Sequence, residues 1–501
     1  MTTDVQARRV VAVASLAWLG VLVIWAIAVP PLRAPDEPAH LSTALRLAFE
    51  RTYPDPGTAV VDRSVSGAAE WLGFPVPYVS GPLGEPPADP PTLGSLREST
   101  PSSTAPDQMT QHPPLGPLVF AAAATVADIE ERTPAQAVLL LRLVAVLLAV
   151  PLPWLVWRCA LAVGASPVAA AAASFVPSGW PHLAHITSSV SHASLLLVTT
   201  TAALLGSVRL AGGDLRARTA LATGLATSAA LLTKGLALGL GVGLLVAVVA
   251  AGTRHGWQRT TRAAAVLLVA CLPGLAWYAA NIVRFGAVQP GGWPPGFFDP
   301  SQQPPFDARF LTTYLDGVSG TLWFNPLEFE IPLPNPVHRV LTAAAVALVA
   351  AGFVLARDRL GYVVLLLAPA TALALTLYGT VVEPEATGTV FAGARGRYLH
   401  VAGAVLVAAV ALVATRMPRR RTAMIPVVTG TVSAAALVAV LTHFWLGEDV
   451  LHRASAAGAW WPGGSALLTL GAVAATGATV AGVVLLAHRP PATVEVSRST
   501  A

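Results

Sequence analysis

Apolar stretches of roughly 18 to 23 residues recur from one end of the chain to the other, each long enough to cross a hydrocarbon core of about 30 Å as an α-helix. A chain built this way is a bundle of membrane helices rather than a soluble globule. Its composition agrees: of 501 residues 54% are hydrophobic and 11% charged, whereas soluble domains carry about 25% charge. Many of the stretches are made of Ala, Leu, Val and Gly, and small residues let helix backbones approach closely where lipid removes the usual hydrophobic drive.

Apolar runs bounded by Pro, Gly and charge predict spans near 10–30, 135–157, 167–180, 190–210, 217–233, 235–252, 262–284, 337–356, 360–380, 398–415, 422–444 and 465–487, about twelve crossings. The first follows Arg8 and Arg9 and ends in Pro30-Pro31 without a small-residue cleavage site, so it reads as a retained signal anchor. The piece from Leu115 to Ala127 is too short to span and is read as an interfacial helix. With it excluded, the loops holding Arg216/Arg218, Arg254/Arg259/Arg262, Arg357/Arg359 and Arg416/Arg419/Arg420/Arg421 fall on the same side as Arg8 and Arg9. That satisfies the positive-inside rule and makes both termini cytoplasmic, with a plasma-membrane location. Two hydrophilic segments, 31–134 and 285–336, then face outward. The tail from 488 to 501 is expected to be disordered. The Ala, Gly, Pro and Arg usage suggests a GC-rich genome of the actinobacterial kind. The net charge of +5 implies no nucleic-acid partner, and Cys159 and Cys271, both in apolar runs, offer neither a disulfide framework nor a metal-ligand spacing.

Several constellations carry chemistry. Arg33-Ala34-Pro35-Asp36-Glu37-Pro38-Ala39-His40 lies just outside the first span and opens an amphipathic helix from Ala39 to Arg51. Adjacent carboxylates there could accept a proton from an acceptor hydroxyl or share a divalent metal. The plainer alternative is a helix start, with Asp36 capping and Glu37 favoured by the helix dipole. Gln111-His112-Pro113-Pro114 presents a histidine at the mouth of the interfacial helix, able to hydrogen-bond a sugar or phosphate. Ala394-Arg395-Gly396-Arg397-Tyr398 keeps two arginines on the outer side against the positive-inside bias. Guanidinium groups clamp phosphate in bidentate fashion, although both could simply snorkel to lipid headgroups. Lys234, the single lysine, interrupts an apolar run and could pair with a lipid-borne phosphate or with Asp36. His182, His185 and His192 stand at the second outer turn, between the third and fourth expected spans, too loosely spaced for a metal reading. Trp293, Phe297, Phe298, Trp323 and Phe324 could stack on sugar rings or form an interfacial belt.

In their order along the chain, Pro35-Asp36-Glu37-Pro38-Ala39-His40, His112-Pro113-Pro114-Leu115 and Gly396-Arg397-Tyr398 resemble a bacterial membrane family catalogued as domain of unknown function 2142, which belongs with the GT-C glycosyltransferases. The resemblance runs from about Val10 to Thr415. It implies an all-α, GT-C-like bundle with its catalytic module over 1–415, further membrane helices over 416–487, and a large first outer loop. It also implies a polyprenyl-phosphate sugar donor entering from the membrane, a glycan, lipid or protein acceptor, and inverting transfer. Asp36 matches the catalytic acid, with Glu37 beside it. His40, His112, Lys234, Arg395, Arg397 and Tyr398 are the substrate-binding candidates. No cofactor is required by these residues, but a divalent metal, Mg or Mn, would have Asp36 as its candidate ligand. Two departures stand out. Related chains often show Asn and Asp where this one has Ser191-His192, and His400 replaces a more familiar proline. A transporter or flippase of lipid-linked saccharides, or a non-catalytic subunit of envelope polysaccharide assembly, would share much of this pattern. Polar groups gathered at one surface rather than at the bilayer midplane favour surface chemistry.

Overall fold

A computed structural model of the chain describes residues 2–73, 82–294, 306–326, 330–382 and 395–488. Ten helices among them are long and apolar enough to cross a membrane: Asp4–Ala28, Pro134–Ala162, Ala193–Ala211, Gly235–His255, Trp257–Phe285, Asn335–Leu355, Arg359–Val381, Gly396–Ala414, Arg419–Phe444 and Gly464–Ala487. The chain is therefore an all-helical, multi-pass membrane protein. Leu115–Val126 is a helix of 12 residues, about 18 Å long at 1.5 Å per residue and too short to span. Phe297, Phe298 and the tail beyond His488 lie outside the described residues.

Two expected spans are not full-length helices. The one placed at 167–180 is broken into Pro167–Ala173, Val176–Gly179 and Pro181–Thr187. Pro177 and Pro181 each remove a backbone donor and clash with the preceding turn, so no continuous helix can run through them. The one placed at 217–233 is Ala217–Leu231, 15 residues, followed by a 3₁₀ stretch from Gly235 to Gly239. Both nevertheless carry the chain between the same two ends of the bundle as the long helices do. One end is marked by Gln6 against Arg419, Ser166 against Thr415, and the Arg357 amide on the Val163 carbonyl. The other is marked by Asp36 against Arg397, Arg33 and His443 against Glu330, and the Leu115 amide on the Leu232 carbonyl. Ten long helices and two interrupted segments thus make the twelve crossings, and the arginine-rich connections gather at the first end.

The first helix, Thr2–Ala28, is the axis on which the rest is hung. It packs directly on the last helix, Gly464–Ala487: a Cβ on Gly20 would fall 2.6 Å from the Gly471 carbonyl oxygen and the Ala475 nitrogen, so only glycine permits this approach. Its C-terminus holds carbonyls with no helical partner, and each such group buried without a hydrogen bond costs several kcal/mol in a lipid-like interior. All are met by side chains from distant segments. Arg142 donates to Ala26 O at 2.8 Å, Val29 O at 2.6 Å and Pro30 O at 2.8 Å. The indole N–H of Trp461 reaches Ile27 O at 2.8 Å and that of Trp445 reaches Ala28 O at 2.7 Å. The same Arg142 forks onto Glu37, Nε to Oε1 at 2.8 Å and Nη2 to Oε2 at 2.6 Å, with the Val190 amide adding a bond to Oε1 at 3.1 Å. Arg142 is 1% exposed and Glu37 fully buried.

Removing one partner of such a pair leaves a buried charge uncompensated, at a cost of about 3–5 kcal/mol. Arg142→Leu should therefore lower the thermal unfolding midpoint of the purified protein sharply, and Glu37→Gln with Arg142→Gln should recover part of the loss. An unchanged midpoint for Arg142→Leu would refute this account of the first helix.

Candidate active site

The turn after the first helix is set by backbone geometry. Asp36 sits in the left-handed region, φ 56° and ψ 10°, where Asp and Asn are among the few side-chained residues tolerated. It precedes the helix Glu37–Phe49 but makes no capping hydrogen bond, so the helix-cap alternative does not hold. Its carboxylate faces the other way and accepts from Arg397 Nη2 at 2.6 Å and from Gln108 Nε2 at 3.1 Å. Glu37, next in sequence, points to the opposite side into the Arg142 fork. The two carboxylates expected to act together are thus separated, with Glu37 held by Arg142 and the Val190 amide. For the same reason they cannot share a divalent metal as folded: one is held by Arg397 and Gln108, the other by Arg142. Among the described residues no group of three or more His, Cys, Asp or Glu is arranged to hold a metal.

Arg397 and Tyr398 come from the 3₁₀ helix Gly396–Ala402. Gly396 makes the placement possible: a Cβ there would fall 2.3 Å from the Leu322 nitrogen, and its amide donates to Thr321 Oγ1 at 2.6 Å. The Tyr398 ring lies between two cations, Lys234 Nζ at 4.7 Å and Arg397 Cζ at 5.5 Å from its centroid. Ring and ammonium attract through the ring quadrupole, so Tyr398 holds the single lysine toward the ion pair. Arg395 is within electrostatic reach of Asp36. His192 stands between His40 and His112, with ring centroids 4.5 Å and 4.8 Å away. All three histidines are buried. His192 therefore occupies the site from the second outer turn, whereas Ser191 bonds the Ile186 carbonyl and serves that turn alone.

The electrostatics follow from burial and from the neighbouring cations. Burial by itself would raise the Asp36 carboxyl, but the Arg397 guanidinium, with His40 and Arg395, overrides it and holds the group well below the usual carboxylate range. Burial pushes His40 down to about 3, Lys234 and Arg397 pushing the same way against Asp36. His112 is lowered by burial and by Lys234. Among the described residues the site therefore sets an ionised Asp36 and neutral imidazoles beside Lys234, Arg395 and Arg397.

Of the sequence-derived candidates, Asp36, His40, His112, Lys234, Arg395, Arg397 and Tyr398 meet here and Glu37 does not. Trp323 turns inward against Trp180, its indole nitrogen donating to Thr342 Oγ1 at 2.9 Å, so it belongs to neither an interfacial belt nor an open stacking face. Sequence reasoning missed three supports. Arg142 could have been found as a lone charge inside an apolar run. Gln108 and Asp107 carried no signal beyond their nearness to His112. Asp107 is fully buried and accepts from Ser42 Oγ at 2.7 Å, Thr43 Oγ1 at 3.0 Å and the Met109 amide at 3.1 Å, which ties the Asp36 helix to the segment presenting Gln108.

The profile of a family described as "Predicted membrane protein (DUF2142)" matches residues 19–405. No curated protein matches the sequence. Among solved structures, ArnT from Cupriavidus metallidurans bound to undecaprenyl phosphate aligns over 95% of this chain and 76% of its own, at 15% identity and a TM-score of 0.46. The apo form of the same protein gives 93%, 74%, 14% and 0.46. The Archaeoglobus fulgidus oligosaccharyltransferase in complex with Zn and sulfate aligns over 89% of this chain and 53% of its own, at 13% identity and a TM-score of 0.35.

Burial raises the Asp107 carboxyl from 3.8 to about 6 despite its hydrogen bonds. A raised acid favours the folded state only while protonated, so its contribution is complete below pH 3.8 and is lost as pH rises through 6. Asp107→Asn keeps the acceptor and removes the titration. Its unfolding midpoint, relative to wild type, should be higher at pH 7.5 than at pH 5; a difference independent of pH would refute the assignment.

Proposed function

This chain belongs to the DUF2142 family of predicted membrane proteins, and we propose that it is a GT-C-type glycosyltransferase moving a sugar from a polyprenyl-phosphate donor to a glycan, lipid or protein acceptor, with inversion. The observation that carries this reading is the Asp36–Arg397 pair, 2.6 Å apart and largely buried, with Lys234 and Arg395 close by at one end of a membrane bundle. A carboxylate base beside cations able to bind phosphate is the equipment that displacement at a sugar–phosphate bond requires. The arginine-rich end is cytoplasmic by the positive-inside rule, which turns the site outward.

While paired with Arg397, Asp36 is a weak base, since its proton affinity is held far below working pH. The donor phosphate competes for the same guanidinium. As Arg397 swings onto the phosphate, with Lys234 and Arg395 completing the clamp, Asp36 loses its strongest partner and its basicity rises. It then takes the proton of the acceptor hydroxyl, the acceptor oxygen attacks the anomeric carbon from the opposite face, and the carbon–oxygen bond to phosphate breaks with its electron pair leaving on the polyprenyl phosphate. Cations already in place stabilise that developing charge without reorganisation. His40, His112 and His192 offer neutral donors and acceptors to substrate hydroxyls.

A carrier for lipid-linked saccharides is the rival reading, and the interrupted segments around residues 167–187 and 231–239 favour it, since carriers use broken helices beside their binding sites. Full-length protein in lipid nanodiscs, given radiolabelled polyprenyl-phosphate sugars, separates the two. Asp36→Asn should lose transfer by at least about a hundredfold, the scale of general-base catalysis, while donor binding is kept. Arg397→Ala should weaken donor binding by about tenfold or more, the loss of one charged hydrogen bond. Movement of donor without transfer in wild type would overturn the enzyme reading in favour of the carrier.

A further inference from the structure

One turn deeper than the ion pair lies a set of rings that the transfer chemistry leaves unused. His182 and His185 come from Pro181–Thr187 and His400 from the 3₁₀ helix that also carries Arg397. The His182 ring centroid is 5.1 Å from that of His400 and 6.3 Å from that of His185; His185 stacks on Trp25 at 5.6 Å, and Trp180 meets His400 edge-on at 5.2 Å. All five side chains are buried. Both ring nitrogens of His182, both of His185, Nε2 of His400 and Nε1 of Trp25 are buried without a hydrogen-bond partner. The Thr321 and Leu322 carbonyls approach His182, and the Leu322 carbonyl approaches His400, without completing bonds.

Six orphaned ring nitrogens in one contact cluster are unlike an ordinary protein interior, where nearly every buried polar atom is satisfied. They call for an occupant that brings several hydroxyls. We propose that this cluster is the recognition chamber for an uncharged, hydroxyl-rich sugar ring, and that His182, His185 and His400 determine which ring is accepted. That the ring belongs to a sugar substrate rests on the glycosyltransferase reading of Asp36 and Arg397.

Four observations give the chamber its chemistry. Residues three apart on a 3₁₀ helix share a face, and three residues at 2.0 Å rise put His400 about 6 Å below Arg397, the depth of one sugar ring beneath a bound phosphate. Neutral imidazole offers both a donor and an acceptor, as a hydroxyl does, so the match is mutual. None of the described contacts of these rings is a carboxylate, so a cationic amino sugar would find no counter-ion. Trp180 has its N–H on the Leu322 carbonyl at 2.7 Å, which leaves its ring as an apolar wall against which a sugar's C–H face can rest.

The test uses full-length protein in nanodiscs and four probes: polyprenyl phosphate alone, the same lipid carrying a neutral hexose, the lipid carrying an amino-hexose, and a free methyl hexoside. The neutral hexose should tighten binding over the bare lipid by about tenfold, the scale of one net hydrogen bond, and the amino-hexose should not. His182→Leu and His185→Leu should abolish that increment while leaving bare-lipid affinity unchanged, and His182→Gln and His185→Gln, which keep a donor and an acceptor, should retain part of it. Equal affinity for all three lipids together with no histidine-dependent binding of the free hexoside, or an increment that survives in well-folded Leu variants, overturns the proposal. An increment with the free hexoside alone supports the chamber and assigns the ring to the acceptor. If bare polyprenyl phosphate does not bind at all, the donor reading fails, and the histidine dependence of hexoside binding then decides the chamber by itself.

Discussion

The Arg142 guanidinium is the interaction on which the rest of this molecule depends. A helix that ends inside a membrane bundle leaves carbonyls that no water can reach, and a loop that turns there must place its charges in the same dry surroundings. One side chain resolves both demands. Its donors close the end of the first helix at Ala26, Val29 and Pro30, and its charge neutralises Glu37 at the start of the next. Because Glu37 also accepts from the Val190 amide, the fork ties the second outer turn to the first. Asp36 is aimed at the site because Glu37 is held away from it. Two neighbouring carboxylates end in opposite environments, one locked onto Arg142 and the other paired with Arg397 and Gln108.

That division explains the charge pattern of the site. Glu37 and Arg142 cancel each other, so they add no net charge to the group that Asp36 forms with Arg395, Arg397 and Lys234. The histidines add hydrogen-bonding capacity without adding charge, first around His192 and then, deeper, around His182. The arrangement passes from ionic at the mouth to neutral within, which suits a ligand whose own polarity changes in the same order.

Much of this was legible in the sequence, for physical reasons that also explain what was not. Hydropathy and arginine placement predicted twelve crossings in alternating directions because both are summed over many residues, and the two-ended sorting of contacts agrees. The interruption at Pro177 and Pro181 was written in the prolines but yielded to the length of the apolar run around them. Asp36, His112 and Arg397 could be singled out because each is a costly residue at a costly place, and the fold brings them together. Adjacency paired Glu37 with Asp36 in the sequence, whereas its hydrogen-bond partner Arg142 lies 105 positions away. Nothing in the spacing of His182, His185 and His400 hints that they meet, since a 3₁₀ turn and a broken helix bring them together only in the assembled bundle.

The closure of the first helix has a temporal consequence. Its last carbonyls and the acidic turn behind them emerge first from the ribosome, yet the groups that satisfy them are Arg142, Trp445 and Trp461. At ordinary elongation rates the two tryptophans follow on the order of tens of seconds after the arginine. Until they arrive, the nascent chain holds a membrane anchor whose end is unfinished. The cluster around Asp36 is therefore a late product of synthesis, completed when the helices carrying Trp445 and Trp461 dock against the first, and a chain stopped short of them would sit in the bilayer with its motifs present and that cluster unassembled.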